Sequence, residues 1–116
     1  MEQLSIDNYI TETLSKRDVT IPRIENYIPH GKDNAISRER LSEITGLSDR
    51  RVRKAIEYAR LDDVIILNLQ DGNGYFQSDN PDEIEQNYRQ EYSRAISILA
   101  RLKYPKQRLR AAGVNI

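Results

Sequence analysis

The chain has 116 residues, 38% of them hydrophobic and 31% charged, which is apolar material for one modest core but not for two. It contains no cysteine, so disulfides and Cys-ligated metal or iron–sulfur sites are excluded. The 18 basic and 18 acidic side chains sum to zero, yet they are segregated: residues 37–60 hold seven basic and four acidic groups, 61–87 hold seven acidic and no basic ones, and 88–116 hold seven basic against Glu91 alone. Basic blocks of this kind are where a phosphate partner is to be sought.

Residues 1–19 read as an N-terminal arm or helix, with Ile6, Ile10 and Leu14 at helical spacing. The segment Met1–Ile10 carries Glu2 and Asp7 and lacks a basic start followed by an apolar run, so no secretory signal is expected. The longest apolar run, Val64 to Leu67, is far too short for a membrane span, and a cytoplasmic protein is expected. Residues 20–79 read as the central domain. Thr20 as a cap, Pro22 in the first turn and the apolar Ile21, Ile24, Tyr27 and Ile28 predict its first helix, ended by Pro29 and Gly31. Ala35 and Ile36 predict a very short strand.

Ser37 then offers an N-cap for a helix to about Thr45, with Leu41 and Ile44 facing inward. Gly46 supplies a turn, Leu47 is expected to be buried, and Ser48 caps a second helix running to about Arg60, with Asp49 placed to suit the macrodipole. Val64 to Leu69 and Tyr75 to Gln77 predict two strands joined by Asp71-Gly72-Asn73-Gly74, a tight-turn signal. Residues 80–116 read as a C-terminal helix and basic tail. Asn80-Pro81-Asp82-Glu83 starts a helix expected to reach Lys103, with Ile84, Tyr88, Tyr92, Ala95, Leu99 and Leu102 at steps of three or four, broken by Pro105. A further turn or two of helix is expected over residues 106–112.

The order helix, short strand, helix, turn, helix, hairpin, helix predicts a mainly α fold with a small β-hairpin, a winged helix-turn-helix with a long C-terminal helix. Leu41, Ser42 and Ile44 before Gly46, and Leu47, Val52, Ala55 and Ile56 after it, stand at the offsets that two steeply crossing helices require. On the second helix Val52, Ala55, Ile56 and Ala59 share one side, while Arg50, Lys54 and Glu57 fall opposite, Arg51 and Arg53 flank and Tyr58 takes the outer edge. A recognition helix inserts its N-terminal half in the major groove, and Arg is well suited to guanine. Arg50 and Lys54 are thus expected to reach bases, and Arg51 and Arg53 to divide between bases and phosphates. Ser48, which caps that helix, is expected at the DNA-binding site as well, and Arg38 and Arg40 are candidate phosphate clamps. An exposed Arg/Lys face on an isolated helix is commonly only solvated; its position directly after the helix-turn-helix core is what singles this one out.

The hairpin tip offers Gln70, Asp71 and Asn73, with Asp62, Asp63 and Asp79 nearby, which opposes wing contact with DNA. The apolar row of the C-terminal helix reads either as core packing or as a two-fold homodimer contact through Tyr88, Tyr92, Ile96 and Leu99, placing two recognition helices on adjacent half-sites. The basic tail from Arg101 to Arg110 would add non-specific phosphate affinity. Catalysis, a metal and a cofactor are not expected: His30 is the lone histidine, the acidic run Asp79, Asp82, Glu83 and Glu85 fits helix capping, and Gly72 and Gly74 belong to a hairpin, not a phosphate loop.

Three stretches, Tyr27 to Ser37, Leu41 with Gly46 to Arg50, and Val52-Arg53 with Ile56, followed by Asn68 to Phe76 and Arg94 to Leu99, resemble small winged-helix proteins encoded in prophages and other mobile elements of Gram-positive, clostridial-type bacteria. The likeness covers about residues 20–103. It implies DNA binding in a phage setting, as a sequence-preferring transcriptional regulator or a replication or packaging accessory protein, and it supplies no catalytic residue and no operator. The alternative outside that class is a winged helix that binds proteins and not DNA.

Overall fold

The computed structural model describes residues 5–69 and 71–116. The first helix, α1 (Ile6–Ser15), is capped by Ser5, whose hydroxyl accepts from the Asn8 amide. It lays Leu14 against the core, and the chain after it is tied down by the Asp18 amide, which donates to the Tyr58 hydroxyl at 3.0 Å.

The helix expected over Thr20–Ile28 does not form. Ile21, Ile24 and Ile28 are buried as anticipated, but from an irregular segment with only one 3-10 turn, Glu25–Tyr27, and Tyr27 stays exposed. Pro22 disfavours helical backbone at Ile21, Pro29 does the same at Ile28, and the segment between is too short to nucleate against both. α1 is therefore the helix that packs, from the N-terminal side, on the pair of helices that follows, touching the second of them.

That pair forms at the expected positions. α2 (Arg38–Thr45) begins at the Ser37 cap, and α3 (Asp49–Leu61) at the Ser48 cap. Gly46 ends α2 with φ +74°, a left-handed backbone open to glycine at little cost. The turn is tightened by the Ser42 hydroxyl, which donates to the Leu47 carbonyl. Leu41 and Val52 are completely buried where the helices meet. Ile44 is 40% exposed, because α2 is only two turns long and its last turn overhangs the contact; Leu47 is half-buried against the core.

The sheet is smaller than its β propensity suggests: β1 (Ile66–Leu67) pairs antiparallel with β2 (Phe76–Gln77), with Leu67 opposite Phe76. The connection spans residues 68–75, wider than the tight turn expected from Asp71 to Gly74. Its geometry answers to a neighbour. Ile36 and Tyr75 exchange backbone hydrogen bonds of 2.9 and 2.7 Å, so the short strand expected at Ala35-Ile36 survives as a single bridge on the outer side of β2. Gly74 makes this approach possible: a Cβ there would lie 2.2 Å from the Ile36 carbonyl oxygen. One core gathers Ile21, Ile24, Ile28, Leu41, Val52, Ile56 and Ile66; a smaller one of Leu67, Leu69 and Phe76 sits under the hairpin, with Ile84 against it.

α4 (Pro81–Ala100) begins at the Asn80 cap and is tied to the hairpin by Asn87 and Gln90 on the Asn68 backbone. It ends three residues before the expected Lys103, and Pro105 lies inside the first turn of α5 (Lys103–Ala111), where its missing N–H costs nothing. Neither helix fully buries any residue; Ile84 packs against the hairpin core, but the core-packing reading of the α4 row fails for Tyr88, Tyr92, Leu99 and Leu102, which are exposed. The two project from the body, giving a radius of gyration of 17.2 Å, where about 13 Å suits a compact chain of similar length. Among the described residues no helix is long and apolar enough to cross a membrane.

Candidate nucleic-acid interface

α3 is amphipathic in the sense its sequence dictates. Val52, Ala55, Ile56 and Ala59 are buried on one side, and Tyr58, expected on the outer edge, is buried too, its hydroxyl accepting from the Asp18 amide. Arg50, Arg53 and Lys54 are exposed on the other, and Arg38 and Arg40 stand exposed on the first turn of α2. The Ser48 hydroxyl accepts from the Arg51 amide at 3.3 Å and fixes where the helix starts.

The seven site residues expected from sequence divide into four groups. Arg51 is half-buried and turned away from the open face, its Nη2 donating to the Thr20 carbonyl at 2.8 Å and the Thr20 hydroxyl at 3.0 Å. Thr20 in turn donates through both its hydroxyl and its amide to the Asp18 carboxylate, at 2.6 and 2.9 Å. These bonds from the Thr20 side chain and backbone, with the Arg51 charge nearby, hold the Asp18 carboxyl below its ordinary range. Arg51 thus fastens the segment after α1 to α3, and Ser48 serves as a cap.

The second group meets at Asp49. Its carboxylate takes Arg38 Nε at 2.5 Å from α2 and Arg53 Nε at 3.3 Å from one turn further along α3. The hydrogen bond to Asp49, and a second contact with Tyr75, raise the Arg38 pKa and keep it charged. Arg40 pairs with Glu43 at 3.0 Å and Lys54 with Glu57 at 3.1 Å, the latter raising the Lys54 pKa. All these pairs are solvent-exposed, where an ion pair contributes about 0–1 kcal/mol, so each cation can exchange its carboxylate for a phosphate at small cost. Arg50 stands alone: it makes no hydrogen bond or ion pair among the described residues.

Sequence reasoning missed the central role of Asp49. Its pairing with Arg53 was open to an i,i+4 argument, whereas Arg38 lies 11 positions away and meets it only through the turn. It also missed the neutralisation of the hairpin: Asp71 pairs with Lys32 at 3.0 Å, which lowers its carboxyl pKa, and Asp62 pairs with Arg23 at 3.3 Å. Gln70, expected at the tip, lies outside the described residues. Tyr58 has the Arg17 guanidinium 4.9 Å and the Lys54 ammonium 5.3 Å from its ring centroid, steadying Lys54 at the edge of the open face. His30 offers its carbonyl to the Asn34 amide and lies in a bridge with Gln77.

No family model matches the chain, and neither does any curated protein or solved structure compared with it.

Proposed function

We propose that the chain is a winged helix-turn-helix protein that binds double-stranded DNA with α3, residues 48–60 by the sequence, in the major groove. The observation that carries this reading is the exposed cluster of Arg50, Arg53 and Lys54 on α3, joined across Asp49 by Arg38 of α2. Cations from both helices of the pair then meet one duplex, α3 at the bases and α2 at the backbone. Arg50 reads bases because it is unpaired, outward-facing and within the first turn; Lys54, one turn further on, reaches the same groove. Arg38, Arg40 and Arg53 contact phosphates. Arg51, expected from sequence to share this work, is assigned to holding Thr20. The hairpin serves as a wing that closes the core, not one that enters the minor groove. The mobile-element resemblance adds the setting, a sequence-preferring regulator.

Fluorescence anisotropy on random duplex across a salt series tests this. Three phosphate contacts per chain predict that log K falls with log salt at a slope of roughly −3. No binding at low salt, or an affinity indifferent to salt, would overturn the proposal and favour a protein-binding winged helix.

A further inference from the structure

We infer that α4 pairs antiparallel with α4 of a second copy of this chain, an association independent of the DNA-binding reading. Every residue from 91 to 100 is exposed, although this half of the helix carries Tyr92, Ile96, Ile98 and Leu99. An isolated helix draws most of its stability from packing an amphipathic face, so a partner for this exposed apolar row is called for. The spacing says which kind. Tyr88, Tyr92, Ala95, Leu99 and Leu102 follow one another at steps of 4, 3, 4 and 3, the seam of a coiled coil. Tyr88 and Tyr92 stack with centroids 5.9 Å apart, presenting a continuous aromatic surface.

Two observations favour a second copy set head to tail. The first is shape. Between β1 and α4 runs a mainly apolar groove lined by Val64, Ile65, Ile84, Tyr88, Tyr92 and Ala95, with Arg60, Asn87 and Glu91 also on its wall and Ile65 45% exposed. With the two-fold axis between Ser93 and Arg94, Tyr92 meets the small Ala95 of the other copy, and Tyr88 meets Leu99. Leu99 and Leu102 of the other copy then fill this groove. The second is charge. The acidic start of α4, Asp82, Glu83 and Glu85, then lies beside the basic end of its counterpart, Arg101 and Lys103 with α5 following. A parallel pairing would set acid on acid and base on base. Tyr88, Tyr92, Ile96, Leu99 and Leu102 are 47–64% exposed. Covering them buries on the order of 600 Å² per copy, at the lower edge of specific interfaces.

Sedimentation equilibrium of the full chain is expected to show a dimer at concentrations on the order of 10 µM. Leu99→Asp, at a position exposed in the single chain, should raise the dissociation constant on the order of 100-fold, since a two-fold contact loses the residue twice. Because the chain has no cysteine, orientation is read directly: Tyr88→Cys and Leu99→Cys chains should cross-link to each other on oxidation and neither to itself. A charge test is independent of these. The variants Asp82→Lys/Glu85→Lys and Arg101→Glu/Lys103→Glu should each dissociate alone and associate when mixed. A chain monomeric to about 1 mM, an association unmoved by Leu99→Asp, or Tyr88→Cys chains that cross-link with themselves would overturn the inference.

Discussion

Arg50 and Arg51 are neighbours in sequence and opposites in the structure, and exchanging each for Ala separates recognition from folding. Arg51→Ala removes two hydrogen bonds to Thr20, both at the surface. A loss of about 1 kcal/mol is expected, which lowers the melting temperature of a domain this size by about 4 °C. Arg50→Ala removes no contact, so its folding stability should stay within about 0.5 kcal/mol of the parent. If Arg50 pairs with guanine, its loss costs roughly 1–3 kcal/mol of binding, or about 5- to 150-fold in affinity, and relaxes the sequence preference at one position. The assay is a pair of measurements on each variant: a thermal melt by circular dichroism, and anisotropy on sequences selected from a random pool. Arg51→Ala should melt earlier while keeping the salt slope of the parent; Arg50→Ala should melt like the parent while binding less tightly. An Arg51→Ala chain of unchanged stability that loses as much DNA affinity as Arg50→Ala would refute the division of roles.

Three further outcomes are expected. Asp49→Asn releases Arg38 and Arg53 from their shared carboxylate and should strengthen binding to random duplex several-fold, read by anisotropy at fixed salt, while losing about 0.3–1 kcal/mol of helix-dipole stabilisation in a urea titration. Gly46→Ala meets no atom and should cost about 1–2 kcal/mol for its left-handed backbone, whereas Gly74→Ala drives a Cβ to 2.2 Å from the Ile36 oxygen and should cost distinctly more by the same titration. Asp18 and Asp71 have depressed carboxyl pKa values, from the Thr20 and Lys32 hydrogen bonds respectively. The stability they contribute is therefore present above the unfolded Asp value of about 3.9 and lost as pH falls below it toward the folded values. Melting temperature should drop across that acid window, and an Asp18→Asn/Asp71→Asn chain should drop less.

What the sequence made legible follows from local rules. The Ser37, Ser48 and Asn80 caps, the Gly46 turn and the face of α3 each depend on residues within a turn of one another, and each appears where spacing puts it. The Thr20–Ile28 segment failed because its apolar residues at helical steps are also what an irregular strap over a core requires, and the prolines decide between the two. The strands were overestimated because Val64 to Leu69 has β propensity throughout, but only Ile66 and Leu67 find partners opposite β2. In the candidate site the identity of the cations was legible and their commitments were not. Whether an Arg faces a groove or a neighbour's carbonyl depends on Thr20, which lies 31 positions from Arg51.

The zero net charge bears on how such a protein would recognise DNA. The acidic hairpin does not simply oppose the basic helix: Lys32 and Arg23 of the N-terminal segment take up Asp71 and Asp62, so the −7 of residues 61–87 is partly spent away from α3. On α3 and α2, however, Asp49, Glu43 and Glu57 hold Arg38, Arg53, Arg40 and Lys54, and Arg60 at the far end of α3 is turned to the Ile66 carbonyl. A phosphate must displace a carboxylate at each, which trims the sequence-independent part of the affinity. Non-specific binding would then be modestly reduced, and more of the discrimination would fall to groups that need no exchange. Arg50 would be that group, since Lys54 must first leave Glu57, and one such ready base contact per chain gives little discrimination by itself. Two chains joined through α4 would present two copies of Arg50 to one duplex, and the second contact becomes effectively intramolecular. Specificity on a neutral chain would therefore depend on the dimer, and Leu99→Asp, on α4 and away from α2 and α3, should weaken binding to a two-half-site duplex more than to a single half-site. Equal losses on both would separate dimerisation from recognition and leave Arg50 to act alone.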